Sequence, residues 1–306
     1  MRTSPYLAIA LAVVSVSFSS IFIRWSESDA ITIALYRLTF ASLIILPFAA
    51  MERATPLWTI SRRDLAFMAG VGVVLASHFA FWITSLKTEG VTVASSVILV
   101  TSHPVLVAIV SHFALGERVS TPTAVGIGLG MTGVAAIAFA GASVSPTTLA
   151  GTLLALLGGV MAGIYFLAGR QLRQRVSLPV YAFVVYATAA LTLFALAAAT
   201  GALLPEGDLS TEFLLFLAMA VIPQIGGHTL YNWSLRFVPA AIVSLSLVGE
   251  PIGSSLLAWL LLAETPSSLV AFGGIFALTG IFLTAYFGAA VGGRVSTASP
   301  REGGER

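Results

Sequence analysis

The chain has 306 residues, 58% of them hydrophobic and only 9% charged, with a net charge of +2 and no cysteine. Soluble domains carry about 25% charged residues, so this composition excludes an ordinary water-soluble globule. The missing cysteines exclude a disulfide framework and a thiol nucleophile, and the excess positive charge lies in loop arginines rather than in a patch suited to nucleic acid.

Runs of roughly 20 apolar residues suffice to cross a ~30 Å hydrocarbon core. Between charge clusters and Pro/Gly breaks the sequence offers ten: 5 to 24, 30 to 50, 65 to 86, 91 to 115, 122 to 141, 149 to 169, 179 to 200, 212 to 235, 238 to 262 and 267 to 288. They are too long and alternate too little for barrel strands, and backbone exposed to lipid must bond to itself, so the expectation is all-α. The first run lacks a small-residue cleavage site and reads as an uncleaved helix rather than a signal peptide. Residues 291–306, rich in Gly and Ser among scattered charges, read as a disordered cytoplasmic tail.

Lysine and arginine set the orientation. With the N-terminus inside, the loop and terminal arginines from Arg2 to Arg306 fall on the cytoplasmic side, and only Arg24 and Lys87 fall outside. Both termini are therefore expected in the cytoplasm of a multi-pass membrane protein. Trp25 and Trp58 read as interfacial anchors, and His112 as an interfacial residue near a span end.

The second half of the chain repeats the first. Pro104 and Pro251 lie 147 positions apart (251 − 104), as do Glu117 and Glu264, and the register continues through Gly126 with Gly273 and Gly133 with Gly280. Upstream the offset becomes 149, pairing Trp82 with Tyr231. Five spans per copy is an odd number, so the second copy enters the membrane upside down. The predicted architecture is an all-α membrane protein of ten transmembrane helices, arranged as two inverted five-helix repeats, residues 1–144 and 145–290.

These matching residues carry a resemblance to the ten-helix EamA family of the drug/metabolite transporter superfamily. The pattern includes Tyr36-Arg37, Gly116-Glu117-Arg118 closing the fourth span, Glu250-Pro251, and Ala263-Glu264-Thr265 where the family usually repeats Gly-Glu-Arg. The resemblance implies inner-membrane transport, often export, of small metabolites such as amino acids.

Ionisable residues at membrane depth are functional candidates by default, since a central Arg costs about 2.5 to 3.5 kcal/mol on insertion scales. Arg37 reads either as a partner for substrate or a carboxylate, or as a clamp on backbone carbonyls. Glu250 precedes Pro251, whose missing amide should leave the Leu247 carbonyl without a donor and kink the helix; His103 precedes Pro104 in the same way. Glu250, with Arg37, is the candidate for proton coupling or gating, and His103 for substrate binding; each has a structural alternative as a bonded packing residue. His78 and Trp82 share one helix face, as do Gln224, His228 and Tyr231 on another, with Asn232 adjoining. Aromatic and polar groups on such faces suit an organic metabolite, although bundle packing also produces them.

Gly128 to Gly133 satisfies G-x-G-x-x-G, but no soluble strand precedes it and no acid follows about 20 residues on, so close helix packing is the better reading. The chain has no H-E-x-x-H and no G-x-S-x-G, and its four histidines lack metal spacing. The function expected is thus a secondary transporter, an exporter of a small organic solute by alternating access. A noncatalytic scaffold and an intramembrane enzyme are the rivals. No cofactor or metal is expected. The expected partners are the bilayer and a small-molecule substrate, with protons and a second copy of the chain left open.

Overall fold

The computed structural model describes residues 5–105, 120–172, 175–234, 237 and 246–295. Ten apolar helical segments follow one another: α1 (Pro5–Trp25), α2 (Ala30–Ala50), α3 (Arg62–Lys87), α4 (Val93–Val105) and α5 (Thr121–Val144), then α6 (Pro146–Leu172), α7 (Leu178–Thr200), α8 (Leu209–Ser234), α9 (Gly249–Leu262) and α10 (Ser268–Val295). Eight are long enough to cross a membrane; α4 and α9 are shorter as described. The expected parts of these spans at 106–115 and 238–245, together with His112, Glu117 and residues 296–306, lie outside the described residues. The last helix runs to Val295, past the expected end at 288.

Local chemistry sets where helices begin. Asp29 accepts from the Ile31 amide at the start of α2, Ser61 from Asp64 at α3, and Asp208 from Thr211 at α8. Thr92 and Ser95 form a reciprocal capping box at α4. Each satisfies a first-turn amide that lacks a partner within its own helix. Helix α7 ends on Gly201 at φ 81°, the left-handed conformation that glycine adopts without steric cost.

The halves meet as two-fold partners. Helix α5 packs along α10, α2 along α7 and α4 on α9, while α3 against α6 is answered by α8 against α1. The α5/α10 seam shows the exchange residue by residue. A side chain on Gly126 would strike Thr284, and one on Gly273 would strike Ile137; one on Gly133 would strike Ala277, and one on Gly280 would strike Gly130. Adding or subtracting 147 converts each contact into its mate, which is the signature of an isologous interface. The G-x-G-x-x-G run is therefore a helix-packing surface at the pseudo-axis.

Two substitutions at this seam separate crowding from helix propensity. Gly133→Ala would press its methyl into the Ala277 backbone and should cost about 1–3 kcal/mol, whereas Gly128→Ala meets nothing within 4 Å and should be neutral or mildly stabilising. Thermal unfolding of the detergent-solubilised variants checks both. Ala263 caps α9 at φ 53°, the only non-glycine residue with positive φ among those described. Ala263→Gly removes that strain and should raise stability by about 1 kcal/mol in the same assay.

Candidate functional site

Both Glu-Pro and His-Pro stand at helix breaks. On α4 the helix pauses at Thr101 and Ser102, then resumes at His103; α9 resumes at Gly249 after a turn at Leu247 and Val248. Pro104 and Pro251 thus occupy the first turn of a new helical segment, where a missing amide costs nothing, rather than the middle of a bent helix. The expectation of an orphaned carbonyl is corrected here: the Leu247 carbonyl accepts from the Glu250 amide at 3.2 Å. On α4 the hydroxyls of Thr101 and Ser102 bond back to Val97 and Leu99 at 2.7 Å each.

The two breaks face one cavity. Its walls are Leu75, His78 and Trp82 from α3, Val100, Thr101 and His103 from α4, and Ala162, Tyr165 and Phe166 from α6, completed by His228 and Tyr231 from α8 with Leu247 and Glu250 at the α9 break. Both repeats contribute. The cavity is narrow, about 30 Å³ in volume. A few waters fit. An organic metabolite needs the walls to part.

Aromatic rings organise the lining. His103 stacks on Phe166 with centroids 5.4 Å apart, His78 stacks on Trp82 at 5.9 Å, and Tyr165 meets Phe166 edge-on at 5.2 Å. The Nδ1 atom of His78 lies 2.9 Å from the Gly158 carbonyl, and that of His103 lies 3.3 Å from the Val100 carbonyl. A carbonyl can only accept, so Nδ1 carries the hydrogen in both rings. The Trp82 indole nitrogen and the His228 Nδ1 are buried with no partner among the described residues.

Of the residues singled out from sequence, His78, Trp82, His103, His228, Tyr231 and Glu250 line this cavity together; Asn232 and Arg37 do not. Asn232 donates to the Tyr165 hydroxyl at 3.1 Å and to the His228 carbonyl at 2.9 Å, which fixes the wall from behind. Arg37 is fully buried, and its bonds differ from both sequence alternatives. Its guanidinium donates to the Gln224 side-chain oxygen at 3.0 Å and to the Ser19 hydroxyl at 2.8 Å, neither a carboxylate nor a backbone carbonyl. Its carbon lies 4.2 Å above the Phe79 ring, which in turn contacts His78, Trp82 and His228. A buried cation is held by two neutral oxygens and a ring face.

Sequence reasoning missed two aromatic wall residues, Tyr165 and Phe166, although their aromatic i, i+1 placement on an alanine- and glycine-rich helix was a usable signal. It also missed that Ala220–Thr229 of α8 winds as a π-helix around Pro223. Wide turns of this kind recur at functional sites. Here the segment carries Gln224 toward Arg37 and His228 to the cavity wall.

One end of the bundle is clamped. Arg24, at the end of α1, pairs with Glu264 beyond α9 at 3.1 Å and also donates to the Val91 carbonyl. The second Glu264 oxygen accepts from the Val93 amide, the first of α4, at 2.7 Å. Nearby, buried Glu212 accepts from the hydroxyls of Ser26 and Ser28 and from the Glu27 amide, and Lys87 donates to the Ser26 carbonyl.

A ten-helix bundle of two inverted halves, with a cavity at paired helix breaks, is an architecture that recurs among membrane transporters. The chain matches the EamA-like transporter family over residues 3–139 and 149–286, and it belongs to that family. It is similar to an uncharacterized transporter, YdfC, of Bacillus subtilis, 25% identical across 82% of this chain and 80% of the relative. An uncharacterized transporter of Archaeoglobus fulgidus is 22% identical across 90% of this chain and 94% of its own. A solved crystal structure shares the fold over 95% of this chain and 100% of its own, with a TM-score of 0.61 at 22% identity.

Replacing Arg37 strands two buried partners at once. Arg37→Ala should lower stability by about 1–3 kcal/mol for each group left unpaired, and Arg37→Lys should recover part of that loss. Folded yield and thermal unfolding in detergent check it.

Proposed function

We propose that the protein exports a small organic solute across the inner membrane by alternating access, the two repeats rocking about the α5/α10 seam. The observation that carries this reading is the meeting of His103 and Glu250, from equivalent positions of the two halves, in one cavity. A site shared by inverted repeats is the part that stays in place while the halves move around it.

The orientation proposed puts both termini in the cytoplasm and the Arg24–Glu264 clamp at the outer end. In this conformation the cavity is narrow, and the clamp ties α1, α4 and α9 together at that end. Substrate entering from the cytoplasm would part the inner ends first, and release would break the clamp. Glu250 is the carboxylate that would exchange protons or meet cargo as access changes.

A flux screen in proteoliposomes over amino acids and organic amines, with and without a pH gradient, tests the reading. Wild-type protein should move at least one solute, and Glu250→Gln should reduce that flux at least about tenfold, the cost of one charge-assisted bond. Full flux that still responds to the pH gradient in Glu250→Gln would remove the acid from the coupling step. Product formed without net transport would favour an enzyme instead.

A further inference from the structure

The charge that the described cavity wall offers a guest is one-sided, although neutral donors such as the Trp82 indole N–H line it as well. Glu250 contributes a carboxylate. His78 and His103 have each committed Nδ1–H to a backbone carbonyl, so the neutral rings retain a lone pair on Nε2. Two further features sharpen this imbalance. The cation nearest the site, Arg37, is turned away: it lies behind Phe79, bonded to Gln224 and Ser19, and is not part of the cavity wall. From Val91 to Leu115 and from Val238 to Ala263, the stretches that supply the α4 and α9 walls, the sequence contains no lysine or arginine. A carboxylate guest would therefore enter beside Glu250 with no cation among the described lining residues to receive it.

The remaining lining consists of ring faces. Trp82, Tyr165, Phe166 and Tyr231 surround the acceptors, two of them stacked on the imidazoles. Aromatic faces attract cations through their quadrupole, most strongly where water is excluded. A carboxylate, two imidazole lone pairs and four aromatic rings complement one chemical group in particular: an ammonium with three N–H bonds on an apolar body. The same lining repels an anion.

Resting on the transporter reading, we infer that the substrate class is a primary amine with an aromatic or aliphatic body and no carboxylate, recognised by Glu250, His78 and His103 within the ring of Trp82, Tyr165, Phe166 and Tyr231. Amino acids, the cargo implied by the family resemblance, fit less well because the described lining holds no cation to offset their carboxylate beside Glu250. Glu250 supplies the neutralising charge, and the rings select for the body.

The test uses purified protein in lipid nanodiscs and three radiolabelled ligands that share one body: 2-phenylethylamine, phenylalanine and 3-phenylpropionate. Equilibrium binding should favour the amine over the other two by at least about tenfold, and Glu250→Gln should lose at least about tenfold in amine affinity. Phenylalanine or phenylpropionate binding as tightly as the amine overturns the inference, and so does failure of all three to bind. The comparison among ligands needs only the wild-type chain, so it holds if the Glu250 variant misfolds. Counterflow of the same ligands in proteoliposomes separates the two proposals. Amine that binds without crossing leaves the recognition standing and removes transport, whereas phenylpropionate that crosses when the amine does not leaves transport standing and removes the recognition.

Discussion

Inside hydrocarbon a broken helix must find every partner for its freed backbone within the protein. The turns at Thr101-Ser102 and Leu247-Val248 meet that demand in different ways, by hydroxyls on one side and by a tight amide-to-carbonyl bond on the other. Such turns are stable only where they face the interior, and the interior they face here is a cavity that carries His103 and Glu250 on its wall. The cavity is thus a consequence of where the helices can afford to stop. His103 and Glu250 follow directly after these turns, which is why a base and an acid from distant parts of the chain share a wall.

The pseudo-two-fold arrangement gives this placement its economy. Small residues at the α5/α10 seam bring two backbones into direct contact, and the reciprocal pairs there fix the axis. Given the axis, a break in one half implies a break in the other at matching depth. Chemistry need not match: Arg37 has no charged counterpart at Ala187, and Trp82 is answered by Tyr231. Symmetry sets the frame, and divergence between the copies supplies the recognition.

The spans, the repeat and the lining residues His78, Trp82, His103, His228, Tyr231 and Glu250 were legible in the sequence because each depends on local pattern. Apolar length marks a helix, a fixed offset marks a duplication, and a charge in an apolar run marks an interior. What stayed hidden depended on geometry that pattern does not encode. Pro251 announces a disruption but does not distinguish a bend from a fresh start. The π-helical turn of Ala220–Thr229 separates Gln224, which bonds to Arg37, from His228 at the cavity wall; Asn232 bonds behind that wall, and Tyr165 enters it from a helix with no polar stripe. Arg37 was recognisable as buried, yet its neutral partners Gln224 and Ser19 come from helices that only the folded bundle brings together.

The clamp at Glu264 has a consequence for how that end of the bundle can open. One carboxylate holds the Arg24 cation with one oxygen and the first amide of α4 with the other, while Arg24 also takes the Val91 carbonyl. Separating α9 from α4 strands an anion and an amide in the same movement and removes one of the cation's two partners. Partial separation would cost nearly as much as full separation without admitting water to all of them. Under the proposed mechanism that end would act as a latch with two positions rather than as a breathing seam.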